Sequence, residues 1–289
     1  MGSVADLASL VPPPDAPVAG DGDWLAVEAS LGVRIPADFK DLLQRYGLGQ
    51  FDDIALLTPF APADREFADL VGRAQTLLPT FAQHREEWPD DFPYPLFPEP
   101  GGLLEWATTG NGDSLCWTVS GDPDHWPVVV WNIREGAERH NCGAVDFLLG
   151  YLSGERAVEL LGPPPPVPWF EPFRVRDEAY IRLSDSDLPY VERLRVLRDA
   201  LAPTADRRSW VDGDQRQDQF KATELDWLVM YETAYGHQIR LEYPPEDEQR
   251  ARAEMGTAIR AMGCHVVRVT TRKGDVWSDE DPAAWGHPL

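Results

Sequence analysis

WATTGNGDSLCWTVSGDPDHWPVVVWNIREGAERHNCGAVDFLLGYL, residues 106–152, is the stretch whose reading decides the fold. Leu104 and Trp106 share one face of a strand. Asn111-Gly112 is a strong hairpin signal, since a type I′ turn needs two residues that tolerate positive φ. On the return strand Leu115, Trp117 and Val119 alternate with Cys116 and Thr118, the period of a pleated strand. Gly121-Asp122-Pro123-Asp124 makes the next turn. Residues 128–133 are apolar on both faces, as in a central strand covered by helices. A turn at Arg134-Glu135-Gly136 leads to a polar edge strand near 138–141, and Val145, Leu148, Leu149 and Leu152 mark a closing helix. These are plain turns and aromatic strands with no constellation of catalytic groups, the makeup of a recognition scaffold.

Working outward, Trp24, Val27 and Leu31 fall at helical spacing behind Asp23 as N-cap, and Gly32 ends that helix. Pro36 opens a second helix through Phe39, Leu42, Leu43 and Tyr46, closed by Gly47. Residues 1–20 read as a loose, Pro-rich lead-in, and Phe51 to Leu57 as one short strand. Residues 63–85 carry the longest helical stripe, with Pro79 expected to kink or divide it. Downstream, four prolines at 163–166 favour a stiff spacer. The organisation expected is therefore a domain over 1–162, a Pro-rich linker over 163–172 and a smaller α+β domain over 173–289. In that second domain 180–183 is a strand, 191–201 an amphipathic helix, 227–231 and 238–243 a hairpin, 246–262 a helix and 266–270 a last strand. The fold class is α+β, with helices around a bent, mostly antiparallel sheet.

The chain has 289 residues, enough for two cores, and 49 acidic against 26 basic side chains. The acidity is uneven. Residues 1–162 hold 26 acids and 9 bases, a net of −17, whereas 163–289 hold 23 and 17, a net of −6. Such a field repels nucleic acid and anionic lipid and draws basic partners from a distance. No apolar run approaches the length of a membrane span, and the N-terminus has no secretory pattern, so a cytoplasmic protein is expected. Cys116, Cys142 and Cys264 are widely spaced and form neither a zinc motif nor a disulfide framework.

Enzyme signatures are missing: no G-x-S-x-G, H-E-x-x-H or Walker-type loop is present. The histidines, His84, His125, His140, His237, His265 and His287, show no i, i+4 ligand pair. His140 with Cys142 or Asp146 can be drawn as a catalytic pair, but a polar histidine on an edge strand is the simpler reading. Asp212, Asp214 and Asp218 fall in a polar loop and lack the alternation and terminal Glu of a calcium loop. No catalytic residue, cofactor or metal is assigned. The candidate partner-binding residues are Asp52, Asp53, Asp113, Asp122, Asp124 and Trp126, acidic loop positions beside an aromatic read as exposed; Trp169 is read as exposed too.

Two segments carry a family resemblance. DWLAVEASLGVRIPADFKDLLQRYGLGQF (23–51) has a Trp and a small helix, then Ile-Pro and an amphipathic helix ending in Tyr-Gly. NGDSLCWTVSGDPDHWPVVVWN (111–132) is followed by the closing helix VDFLLGYL. Together they resemble the SUKH superfamily, its cell-wall-assembly-regulator (Smi/Knr) branch in particular, over about residues 20–160. The resemblance implies an α+β domain without a catalytic site. It further implies, in bacteria, an immunity protein that binds and neutralises a toxin, often a nuclease; in fungi, related proteins are signalling scaffolds. The function expected is stoichiometric neutralisation of a basic toxin domain, with a scaffold lacking any toxin partner as the alternative. Residues 173–289 carry no resemblance.

Overall fold

The computed structural model describes residues 2–271 apart from 64 and 91. His287 and the rest of 272–289 lie outside the described residues. The chain divides into two compact units, Met1–Phe173 and Arg174–Leu289, each α+β with one open antiparallel sheet.

The first unit runs α1 (Val4–Leu10), α2 (Trp24–Leu31), α3 (Ala37–Tyr46), β1 (Gly49–Phe51), β2 (Ile54–Leu56), α4 (Leu70–Glu87), β3 (Gly102–Thr109), β4 (Ser114–Val119), β5 (Val128–Asn132), β6 (Gly136–His140), α5 (Ala144–Leu152) and β7 (Phe170–Pro172). Its seven strands lie in the order β6-β5-β4-β3-β2-β1-β7. Alternation divides the side chains between two cores. Leu104, Trp106, Leu115, Trp117, Val128 and Val130 pack with Phe39, Leu42 and Tyr46 of α3 and with Phe147, Leu148 and Tyr151 of α5. Leu103, Cys116, Val129 and Trp131 pack with Phe81 of α4 and with Phe92. Helical cover on both faces explains why residues 128–131 of β5 are all apolar, while β6 at the edge is polar.

Several sequence expectations change. The lead-in is not loose: residues 4–10 form α1, opened by a reciprocal Ser3/Asp6 capping box, with Leu7 and Val11 buried in the main core. The single strand expected at 51–57 is a pair, β1 and β2, folded about Asp52-Asp53. Helix α4 runs on through Pro79. The β3–β4 turn is not type I′. The Gly112 amide donates to the Thr109 carbonyl (3.0 Å), so Gly110 and Asn111 take the central positions and only Gly112 is left-handed, at φ +89°. Residues 170–172, expected in the linker, pair with β1 as an edge strand.

The second unit runs β8 (Asp177–Leu183), α6 (Tyr190–Ala200), β9 (Thr204–Asp212), β10 (Gln215–Ala222), β11 (Trp227–Glu232), β12 (Gln238–Tyr243), α7 (Glu248–Ala261) and β13 (Val266–Thr271). The sheet order is β13-β8-β12-β11-β10-β9. Its core joins Leu197 and Leu201, Met255, Ala258 and Ile259 to Ile181, Tyr231, Ile239 and Leu241. The polar loop expected around 212–218 is instead the hairpin β9–β10. Asp218 is held within it by the hydroxyls of Tyr190 (2.7 Å) and Ser209 (2.5 Å). Among the described residues no group of three or more His, Cys, Asp or Glu is placed to hold a metal ion. None of the described helices is long and apolar enough to cross a membrane.

Candidate partner-binding site

The six residues singled out in the sequence separate to the two ends of β4. At the β3–β4 turn, Asp113 is 3% exposed. Its carboxylate accepts from Thr109 Oγ1 (2.6 Å) and Asn132 Nδ2 (2.5 Å), tying the hairpin to the end of β5. Asp52 is 1% exposed, at φ +51°, a left-handed position Asp tolerates better than most residues. Its amide donates to the Trp169 carbonyl (3.2 Å) and its carbonyl accepts from Gln50 Nε2 (3.0 Å). The half-buried Asp53 lies against Gly110. The expectation of an open acidic loop at Asp52 and Asp113 is thus corrected: both carboxylates are buried in turns they help to build. Asp113→Ala in the full chain is expected to cost about 1.5–3 kcal/mol, the usual worth of hydrogen bonds to a charged group. Urea unfolding of the first unit checks this, and a loss under about 0.5 kcal/mol would contradict a structural role.

At the other end, Asp122 and Asp124 are exposed. Trp126 is not: only 2% of it meets solvent and its ring lies 6.2 Å from that of Trp117. The turn Pro123–His125 folds it back into the core, so the reading of Trp126 as an exposed anchor is corrected. Trp169 is partly buried. Asp122 faces Arg34 and His125, each at 3.5 Å. Asp124 Oδ1 accepts from the Ala37 amide (2.8 Å), capping α3, whose own N-cap, Pro36, has no side chain to do so.

This end opens into a cleft of about 600 Å3 lined by Thr118, Ser120, Asp124, His125, Pro127, Arg139, Asn141, Cys142, Gly143 and Asp146. It forms where β4 ends, β5 begins and β6 passes into α5. Asp146 Oδ1 accepts from the Gly2 amide (2.5 Å), and Arg156 stands 3.6 Å from its other oxygen. Arg139 is exposed, with its Nε donating to Asn141 Oδ1 (3.3 Å). Thr118 is only 6% exposed, and its hydroxyl finds no hydrogen-bond partner among the described residues.

Behind the cleft sits Asp38, in the first turn of α3. Helix α5, nearby, begins at a bare glycine with no side-chain cap. Burial pushes the Asp38 carboxyl above the usual range, against the pull of the Val145 and Phe39 amides, and the charges of Asp124 and Asp41 add to the rise. The N-terminus of α3 is therefore capped by a carboxylate borrowed from another element, and Asp124, Asp38 and Asp41 crowd negative charge at one place. The cleft's titratable neighbours are not prepared for nucleophilic chemistry. Burial raises the Cys142 thiol, and burial lowers His140, whose ring packs edge-on to Phe147 at 5.0 Å.

Asp38, Thr118 and Asn141 were not singled out in the sequence, and Asp146 entered only as a partner drawn for His140. Asp38 has a visible signal, an acid in the first turn of a Pro-initiated helix. Thr118 has none, since an unpartnered hydroxyl is a tertiary property.

An antiparallel sheet walled by helices on both faces, with a cleft at its strand ends, makes the first unit an α+β domain. Residues 21–147 match the SUKH_6 family model, described as SMI1-KNR4 cell-wall, and the C-terminal part matches no family model. SUKH domains are known as a family of immunity and SMI1/KNR4-like proteins, generally non-catalytic and protein-binding. No curated protein and no solved structure matches the chain.

Proposed function

We propose that the first unit is a non-catalytic, cytoplasmic immunity domain that neutralises a basic toxin, a nuclease above all, by stoichiometric occlusion. The observation that carries this reading is the placement of exposed Asp122 and Asp124 beside a cleft in the part of the chain whose net charge is −17. A negative field of that size speeds encounter with a basic protein, and the docked contacts then set the lifetime of the complex. Occlusion needs no reacting group, only a surface that covers the toxin's own site.

The test uses the full chain as bait in a lysate of its source organism, followed by kinetics on the captured protein. Capture of a basic toxin is expected, with an association rate that falls at least tenfold between about 20 mM and 200 mM salt as screening shortens the reach of the field. Co-expression is expected to restore growth to cells making that toxin. Salt-insensitive association, or toxicity unchanged by the chain, overturns the reading. A scaffold role without a toxin has one observation in its favour. The edge strand β9 of the second unit exposes Trp210 and Val211, apolar side chains beside open backbone groups.

A further inference from the structure

We propose that the edge strand β9 of the second unit pairs with the same strand of a second copy of this chain. The pairing is antiparallel about a two-fold axis at Trp210, and it joins the two six-stranded sheets into one. The inference concerns the second unit and stands apart from the reading of the first as an immunity domain.

Three features of the strand fit a second copy. The first is an open backbone edge. Strand β9 ends the sheet, with β10 on one side and no strand of the described residues on the other. Its turn into β10 has two residues, Gly213 (φ +57°) and Asp214, and closes on the pair Asp212 and Gln215. The closing pair of a two-residue hairpin is hydrogen-bonded, and the pattern alternates from there. The backbone groups of Asp212, Trp210 and Arg208 therefore face β10, and those of Val211 and Ser209 face outward. The second feature is apolar surface at that edge: Trp210 is 45% and Val211 58% exposed. Edges that are kept single carry a bulge, a proline or a lysine across them. Here the bulge falls at Arg207, between the pairs Arg208–Gln219 and Asp206–Phe220, so residues 208–212 stay regular.

The third feature is self-complementarity. The regular segment Arg208-Ser209-Trp210-Val211-Asp212 lies between the bulge and the turn, and Trp210 is its centre. Antiparallel pairing about that centre sets Trp210 opposite Trp210. On the same face of the sheet it sets Arg208 of each copy opposite Asp212 of the other. Ser209 and Val211, whose backbone groups face outward, then exchange hydrogen bonds with Val211 and Ser209 of the second copy. Trp210 falls at a non-hydrogen-bonded position, where facing side chains come closest. Aromatic pairs and opposite charges across strands both stabilise a sheet. An axis moved by one residue loses this match. Centred on Ser209, the pairing runs into the bulge at Arg207; centred on Val211, it runs into the turn at Gly213.

A segment this short buries less than the ~1,000 Å2 that a stable interface usually clears, so the dimer is expected to be reversible, with a dissociation constant between about 1 µM and 1 mM. Sedimentation of the full-length protein across that range reads the monomer–dimer equilibrium. Val211→Pro is expected to weaken self-association at least about tenfold, because it removes an amide that faces away from β10 and leaves the ladder within the monomer intact. Asp212→Arg and Arg208→Asp are each expected to weaken it at least about fivefold, since each sets like charges opposite one another twice. Mixed in equal amounts, the two charge variants are expected to regain the parent's affinity to within about threefold, because the hybrid dimer restores both opposite-charge pairs. Glu135→Gln, in the first unit, is expected to change nothing.

A chain that stays monomeric up to about 1 mM overturns the proposal. A dimer untouched by Val211→Pro and by both charge reversals overturns it as well, since that dimer uses another surface. Charge variants that fold by circular dichroism, associate less and do not recover on mixing overturn the register, and with it the two-fold at Trp210. Recovery on mixing supports the register and shows at once that both variants fold. Where a charge variant fails to fold, Val211→Pro decides.

Discussion

Arg73→Met is expected to destabilise the first unit by about 3–5 kcal/mol, the usual result of removing one member of a buried ion pair. Glu105 lies in the middle of β3 at 1% exposure, among Leu103 and Cys116 on the face covered by α4. Arg73 reaches down from that helix and holds it bidentately, Nε to Oε2 at 2.7 Å and Nη2 to Oε1 at 2.9 Å. The Ser114 hydroxyl donates to Oε1 at 2.7 Å. With Arg73 gone, one hydroxyl is left to solvate a carboxylate inside an apolar layer, which is far short of what water supplied. The double variant Arg73→Met, Glu105→Met is expected to recover most of the loss, because an apolar pair of similar volume replaces an ion pair without leaving a charge behind. Urea unfolding of the four-member cycle measures the coupling. A single variant within 1 kcal/mol of the parent, or a double variant no better than Arg73→Met, contradicts the account.

Glu105 also shows where sequence reading stops. The strands from 102 to 140 are legible because alternation and turn residues agree, and α2 and α3 are legible because Asp23, Gly32 and Gly47 mark their ends. The same alternation places an acid opposite Cys116, but it cannot tell that a helix brings to it an arginine 32 residues earlier in the chain. Helix α1 escapes because Pro12, Pro13 and Pro14 dominate its neighbourhood, although its Ser3/Asp6 box and Leu7 were present to be read. Strands β9 and β10 escape because they are polar on both faces, the composition of a solvated loop; Asp212-Gly213 was the available hairpin signal. The site was half legible. Acidic loops pointed to Asp122 and Asp124, but Asp52 and Asp113 have the same local sequence character and are buried. Turn residues and surface residues look alike in a sequence. The cleft itself depends on a cap spanning 87 residues between Asp124 and Ala37, which no local pattern encodes.

Phe170→Ala is expected to cost the first unit about 3–5 kcal/mol, as for a buried aromatic truncated in a core. The segment PPPPVPWFEPF reads as a spacer, and a spacer side chain would be worth almost nothing. In the fold, however, Phe170 completes a cluster with Phe51 (4.8 Å) and Tyr46 (5.0 Å). The Tyr46 hydroxyl in turn donates to the Val11 carbonyl (2.6 Å), so one ring fastens β7, β1, α3 and the chain just after α1. The backbone reinforces this, with Phe173 donating to the Leu48 carbonyl (2.8 Å) and β7 covering the edge of β1. For a unit of this size the loss corresponds to a fall in melting temperature of about 6–20 °C. Calorimetry of the full chain is expected to show that fall in the transition of the first unit and none in that of the second, whose core is separate. A change under about 1 kcal/mol would return residues 163–172 to the status of a tether.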